Sequence, residues 1–479
     1  MKRIISFIAI ALIASSCQKN LEELNLDVKR PSAGSVPSGT VFSTAETNLF
    51  EQMVTTNVNR NVFRLFAQQW TETTYTDESN YDILTRKIPD QVWSRMYIGV
   101  LNNLKEATTL VTAETPIGAS AIAVKANKLL VIELLNIYTY QILVDTFGDI
   151  PYTQALDPNK VNPKYDDAKT IYTDLVKRIN AATSAINTAE GSFGAADLVY
   201  GGDMNKWKKF ANGLKLKIGL TLSDVDATTS KTLVEDGAKG VFTSNTDNAK
   251  LSYSASVPNT NPIWIDLVQS GRHDYVPANT VVNITNTLND PRRATFFTML
   301  NGKYVGGAYA AGGNFTNFSQ IGDMFSLPAT EGVIMDYSEI AFSLAEGAAR
   351  GYSVGGTAED FYNKGVTSSI KYWGGLDADV ATYLKNPLVA YTTAKGTYKQ
   401  KIGTQKYLAL YNRGFEAWTE WRRLDAPTFN VPANKTYAEI PVRFTFPVGE
   451  QTLNQANWTA ASTAIGGDKL TTKLFWDKF

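Results

Sequence analysis

The chain is 479 residues long with 44% hydrophobic residues, enough to bury a large core. Lys plus Arg and Asp plus Glu both number 46, so no basic excess draws the chain to nucleic acid. A single cysteine, Cys17, excludes an internal disulfide and a thiolate metal site.

At the N-terminus, Lys2 and Arg3 precede an apolar run over residues 4–14, and Ser15 and Ser16 lead into Cys17. This is the layout of a secretory signal, too short to span a bilayer. The stretch Ala14-Ser15-Ser16-Cys17 resembles the bacterial lipoprotein box, although Leu12 lies further upstream than the usual box leucine. The resemblance implies removal of residues 1–16 and a diacylglyceryl group on the Cys17 thiol. Each buried methylene contributes roughly 0.8 kcal/mol, so several acyl chains, palmitate among them, anchor a protein without a spanning helix. Residues 18–37 are polar, with Pro31, Gly34, Ser35 and Pro37, and read as a tether. Lys19, Glu22 and Glu23 resemble surface-export signals of Bacteroidetes lipoproteins. The division is then a signal at 1–16, a lipidated N-terminus and tether at 17–40, and one body at 41–479.

Within the body, amphipathic spacing predicts helices over residues 48–66 and 92–111. Residues 124–147 are apolar nearly all round, as in a central buried helix, with Gly148 and Pro151 as stop signals. Residues 165–186 and 205–222 supply two more, the second with Trp207, Phe210, Leu214 and Ile218 on its core face and its lysines toward water. The middle is rich in Gly, Asn, Thr and Tyr without a sustained period. Helical spacing returns at 336–351, where Asp336 and Glu339 form a capping box, and at 357–374, capped by Thr357 and Asp360. Small residues on the facing stripes allow close approach, the pattern of a degenerate tetratricopeptide-like hairpin.

Five segments then fall in one order: Asp145-Thr-Phe-Gly-Asp-Ile-Pro-Tyr152, Asn289-Asp-Pro-Arg292, the run from Tyr337 to Gly351, Trp418-Thr-Glu-Trp-Arg-Arg423, and Ile440-Pro-Val-Arg-Phe-Thr-Phe-Pro447. Together, behind a lipoprotein signal, they resemble the SusD/RagB family of nutrient-binding outer-membrane lipoproteins, in its SusD-like branch of Bacteroidetes. The resemblance implies a mainly α fold, with tetratricopeptide-like helical pairs as a scaffold and a loop-rich irregular region packed on one side. It implies capture of a glycan, oligosaccharide or peptide at the cell exterior and delivery to a TonB-dependent, SusC-like barrel transporter, without catalysis. Residue by residue the motifs read as structural: Arg292 caps a loop, and Trp418 and Trp421 pack beside the solvated charges Glu420, Arg422 and Arg423.

Sugar recognition needs aromatic faces for pyranose rings and polar side chains for hydroxyls, in an open concavity. Three stretches offer both. Residues 68–81 carry Trp70, Tyr75 and Tyr81 among Glu72, Asp77, Glu78 and Asn80. Residues 264–275 carry Trp264, Arg272, His273, Asp274 and Tyr275 around Gly271. Residues 304–325 carry Tyr309, Phe315, Phe318 and Phe325 among glycines that permit tight turns. His273 is the only histidine and reads as a hydrogen-bonded loop residue rather than a metal ligand or acid–base group. No EF-hand spacing is present, so no cofactor is expected, with a structural calcium ion left open. The alternatives are a surface glycoside hydrolase and a helical-repeat adaptor that binds only protein. The hydrolase needs two carboxylates across a cleft, and Glu339, Glu346, Glu416 and Glu420 instead suit capping or solubility. No Gly-x-Ser-x-Gly elbow or His-Glu-x-x-His helix appears.

Overall fold

A computed structural model describes residues 36–432 and 439–478. Cys17, the signal and the tether up to residue 35 lie outside the described residues. The first helix, α1, spans Ser38–Val54 behind Pro37 and buries Phe42, Ala45, Leu49, Phe50 and Met53. The sequence-predicted helix over 48–66 is therefore two pieces: α1 ends at Val54 and a single turn follows at Phe63–Phe66. The break is made by side chains that capture the last carbonyls of α1. Asn61 Nδ2 donates to Gln52 O and Met53 O at 2.9 and 3.2 Å, and Arg64 donates to Val54 O and Thr55 O at 2.7 and 2.9 Å. Helix-terminal carbonyls satisfied in this way need no further turn.

Strand β1 (Trp70–Glu72) precedes α2 (Ile88–Ser94), which runs through a π-helical segment, Arg95–Leu101, into α3 (Asn102–Ala113). Helix α4 (Ala119–Phe147) is buried along its second half and stops at Gly148, whose φ of 83° suits glycine. Helices α5 (Ala168–Ala185) and α6 (Met204–Thr221) start on the caps Asp167 and Asp203, and α7 (Ala227–Gly237) on Asp226. After β2 (Ala249–Leu251) and β3 (Tyr275–Pro277) come α8 (Asn279–Leu288) and β4 (Gly332–Met335). The C-terminal helices are α9 (Tyr337–Ala349), α10 (Ala358–Tyr372), α11 (Asp377–Lys385), α12 (Tyr398–Ala409), α13 (Gly414–Leu424) and α14 (Gln455–Ala464).

The helices pack in pairs: α1 with α3, α4 with α5, α6 with α7, α9 with α10, and α12 with α13. The pairs stack through α3 on α4, α5 on α6, α6 on α9 and α9 on α12. This is the helical-pair scaffold expected from the sequence. In α10, a Cβ on Gly365 would lie 2.8 Å from the Phe342 ring of α9, so the small-residue stripe is what lets this pair close. Two short antiparallel ladders, β1 with β3 and β2 with β4, brace the irregular part formed by residues 55–87 and 241–335.

The core also holds ionised groups where the sequence predicts solvated ones. Lys217 of α6 meets Glu339 at 2.8 Å, and Arg413 meets Glu339, Asp336 and Glu416 at 2.7, 3.1 and 3.4 Å. Arg423 bridges Glu346 and Glu420 at 2.5 and 2.9 Å, and Lys406 reaches Glu420 at 3.0 Å. Glu339, Glu346, Glu416 and Glu420 thus serve buried ion pairs rather than solubility, and Lys217 turns inward rather than to water. Asp336 caps α9 by accepting from Glu339 N at 2.7 Å, but the Glu339 carboxylate goes to Arg413 and does not close the predicted box. The box at Thr357 and Asp360 forms as predicted. Arg292 is buried against Asp290 at 2.5 Å and donates to Ser369 and Gln405, tying the middle segment to α10 and α12. Trp418 packs among Phe63, Phe66 and Phe444, with the Arg422 guanidinium 3.6 Å above its ring.

Candidate functional site

The three stretches read as separate ligand loops fold into one body. Trp70, Thr71 and Glu72 of β1 pair with Pro277, Val276 and Tyr275 of β3. The ladder continues through Thr73 N to Asp274 O at 2.8 Å. The glycine-rich stretch docks on both strands: Gly307 N donates to Pro277 O at 2.9 Å, Ala310 N to Thr71 Oγ1 at 2.9 Å and Gly313 N to Thr73 O at 2.9 Å. A Cβ on Gly307 would sit 2.8 Å from Val276 and 3.0 Å from Thr71, which is why the third stretch needs glycine there. Asn80 Nδ2 donates to Ala310 O at 3.0 Å and closes the assembly.

That assembly divides the candidate rings into two sets. Trp70, Tyr81 and Tyr309 are 1%, 0% and 5% exposed and belong to the core, contrary to the ligand-facing role expected of them. Trp70 Nε1 donates to the Tyr411 hydroxyl at 3.0 Å, the Tyr309 hydroxyl donates to Leu65 O at 2.8 Å, and the rings of Tyr81 and Tyr309 lie 6.2 Å apart. Tyr275 is half-buried, its hydroxyl donating to Thr56 O at 3.0 Å. Trp264 is half-buried in a one-turn helix capped by Asn261.

On the outer side, Tyr75 is 70% exposed on a residue with φ of 54°. The exposed His273 ring rests 4.8 Å from that of Phe315, tilted by 38°, and the His273 carbonyl accepts from Thr73 Oγ1 at 3.2 Å. Asn314 caps the turn that presents Phe315, accepting from Thr316 N at 3.1 Å. Arg272 Nε donates to Asp274 at 2.5 Å, and this bond holds the guanidinium above its ordinary value. Thr74 Oγ1 donates to the other Asp274 oxygen at 3.3 Å. Tyr75, Arg272, His273, Asp274 and Phe315 therefore form a solvent-facing platform of rings and hydrogen-bonding groups.

Two acids from the same stretch lie beneath it. Glu72 accepts from Ser79 N and Oγ at 2.9 and 2.8 Å, and Glu78 meets Arg86 at 2.5 Å. Burial and the neighbouring Glu78 raise the Glu72 carboxyl well above the usual range, and burial raises Glu78. These acids are buried and engage Ser79 and Arg86 instead of alternating with exposed rings. Among the described residues, no group of three or more His, Cys, Asp or Glu side chains could hold a metal ion.

Sequence reasoning did not find the cleft of about 520 Å³ between α1 and residues 251–266, lined by Glu51, Arg60, Tyr253, Pro258, Thr260 and Asp266 among others. Its walls come from segments some two hundred residues apart, and no local pattern brings them together. Among the described residues, no helix is long and apolar enough to cross a membrane.

Comparison with curated proteins returns no significant sequence match. Solved structures match along nearly the whole chain. A chitin-binding protein superposes with a TM-score of 0.80 at 23% identity, covering 92% of this chain and 100% of its own. A chitin-binding SusD homologue from Flavobacterium johnsoniae gives 0.78 at 23% identity, covering 91% and 98%. A SusD homologue from Bacteroides uniformis gives 0.76 at 23% identity, covering 92% and 99%. At this identity the structures establish the shared fold. The family model SusD-like, described as starch-binding and associating with the outer membrane, matches residues 29–447, and the chain accordingly belongs to the SusD-like family.

Proposed function

We propose that this protein is a cell-surface glycan-binding lipoprotein, held in the outer membrane through lipid on Cys17, that passes its ligand to a TonB-dependent barrel transporter. The observation that carries the reading is the platform: Tyr75 is exposed, and the exposed His273 ring packs on the half-buried Phe315 beside the Arg272–Asp274 pair. Exposed rings give the apolar face of a pyranose a stacking surface, and the flanking pair supplies a donor and an acceptor for its hydroxyls. The chitin-binding structural neighbours and the starch-binding description of the family favour a polysaccharide or oligosaccharide over a peptide.

The protein acts by binding alone on this reading. Glu72 and Glu78 are buried beneath the platform and are not opposed across an open cleft, as glycoside hydrolysis requires. The test is retention of the protein on insoluble chitin and starch, with Tyr75→Ala alongside. Retention that Tyr75→Ala abolishes supports the reading, and retention unchanged by it removes the platform. Co-purification of the lipidated protein from its native membrane tests the transporter: a stoichiometric barrel partner is expected, and recovery of the protein alone from intact membrane counts against delivery.

A further inference from the structure

Tyr75 stands midway between two acids, Glu72 and Glu78. Both are enclosed, at 3% and 0% exposure, and both fix the loop that carries the tyrosine. Glu72 and Ser79 hold each other from both sides: the carboxyl accepts from Ser79 N and Oγ at 2.9 and 2.8 Å, and Glu72 N donates to Ser79 Oγ at 3.2 Å. Glu78 meets Arg86 at 2.5 Å, and Asn80 ties the same turn to Thr76 O and Ala310 O at 2.8 and 3.0 Å. The exposed Tyr75 ring has little packing of its own, so this turn sets where it stands.

The two carboxyls neighbour one another, and among the described residues Arg86 is the one cation in ion-pair contact with either. Arg86 lies at the surface and also serves Asp82, so it cannot balance two enclosed carboxylates. The cheaper state keeps one proton on the pair, and Glu72, which has no cation, is the group that holds it. Nothing on the surrounding elements changes this count. Tyr275 of β3 and Tyr309 of the glycine-rich stretch are phenols kept neutral by burial, donating to Thr56 O and Leu65 O. Asp77 adds negative charge beside Glu78. Asp274 is paired with Arg272, and Asp266 accepts from Thr55 and Thr56. Arg64, over the Trp70 ring at 5.3 Å, gives its donors to Val54 O, Thr55 O and Asn412.

Resting on the glycan reading for its ligand, we propose that one proton held between Glu72 and Glu78 latches the loop of residues 73–80, and that its loss as pH rises releases Tyr75 from the platform and weakens saccharide binding. The latch is whole below the ordinary glutamate value of about 4.3 and is lost as pH rises through the raised value of the enclosed pair. Once both acids are ionised they repel each other inside the turn, and opening the turn brings water to both.

The experiment is amide hydrogen exchange of the full chain over residues 73–80, from about pH 5 to about pH 8 and corrected for the intrinsic pH dependence of exchange. Calorimetric titration with chito-oligosaccharides and malto-oligosaccharides runs alongside over the same range. Glu72→Gln is the comparison, since its amide keeps an acceptor for Ser79 and a donor for Glu78 and does not ionise. In the wild type, protection of the loop is expected to fall by up to about tenfold per pH unit, and oligosaccharide affinity with it. In Glu72→Gln both are expected to stay level. Protection that is level in the wild type, or that falls equally in Glu72→Gln, overturns the latch. Affinity that stays level while protection falls overturns its link to the platform. If one series binds at every pH with level affinity and level protection, the latch fails and the glycan reading stands. If protection follows the expected course and neither series binds at any pH, the glycan reading fails and the latch stands as a property of the loop.

Discussion

The guanidinium of Arg413 and the carboxylate of Glu339 meet at 2.7 Å with side chains 8% and 0% exposed, joining the start of α13 to α9. Lys217 and Asp336 complete a network that touches three helices and a loop. The pair sits in the interior because each charge has several partners; alone, either would be costly to bury.

Arg413→Met is expected to destabilise by about 3–5 kcal/mol, since it leaves Glu339 and Asp336 short of their main counter-charge. Combining it with Glu339→Leu is expected to cost less than the sum of the two single changes. Urea unfolding of the four proteins checks both points, and additivity would show that the two residues do not act together.

Stability is expected to pass through a maximum in mild acid. Burial raises Glu339 and Glu420, but Arg413 and Lys217 for the first, and Arg423 and Lys406 for the second, outweigh it and hold both at about 2. Their contribution is complete above the unfolded value near 4.3 and is lost as pH falls toward 2. Asp145 is the opposite case: burial pushes it up to about 6 although Tyr172, Arg422 and Trp476 oppose this. Its favourable contribution is complete below about 3.9 and is lost as pH rises through 6. Glu72 and Glu78, both raised, act in the same sense as Asp145. Urea midpoints measured from about pH 7 to about pH 3 are expected to rise and then fall steeply. A monotonic decline from neutral pH would contradict this balance.

Tyr75 and Trp70 are five residues apart and are expected to respond in opposite ways. Tyr75→Ala changes stability by no more than about 0.5 kcal/mol, because the side chain is 70% exposed, and removes glycan retention. Trp70→Ala costs about 3–5 kcal/mol through the cavity it leaves beside Tyr411 and Phe325. Thermal melts paired with retention on chitin separate the two effects.

Asn61→Ala is expected to cost about 1–3 kcal/mol, because Gln52 O and Met53 O at the end of α1 lose their donor in a buried place. Hydrogen exchange of the last turn of α1 is expected to speed up, and unchanged protection there would show that Arg64 suffices as the stop.

Gly414→Ala is expected to cost about 1–3 kcal/mol, since a Cβ there would lie 2.3 Å from Arg64 N and 2.6 Å from Phe63 C. Backbone has nowhere to give, unlike the end of a flexible side chain, and α13 would have to lift off the turn at Phe63–Phe66. A melting temperature equal to that of the wild type would refute this.

Most of the scaffold was legible in the sequence because helices leave local marks. The apolar run before Gly148, the caps ahead of α9 and α10 and the 3.6-residue spacing of Trp207, Phe210, Leu214 and Ile218 each depend on neighbours in the chain. The three aromatic stretches were also legible as composition. Which of their rings face water was not, because that depends on strand pairing between residues 70–72 and 275–277. The same limit hid the break in the first helix, where Asn61 and Arg64 turn back to take its carbonyls.

By itself the sequence determined the helical-pair architecture and the aromatic, glycine-rich composition of the irregular side, since periodicity and turn chemistry act over a few residues. Only the tertiary structure decided that Trp70, Tyr81 and Tyr309 are core while Tyr75 and His273 are exposed. It likewise decided that the charges of α9 and α13 neutralise one another inside, and that α1 and residues 251–266 enclose a cleft. Burial, ion pairing and cavities are set by which distant segments meet, and the free energy of those meetings belongs to the folded chain as a whole.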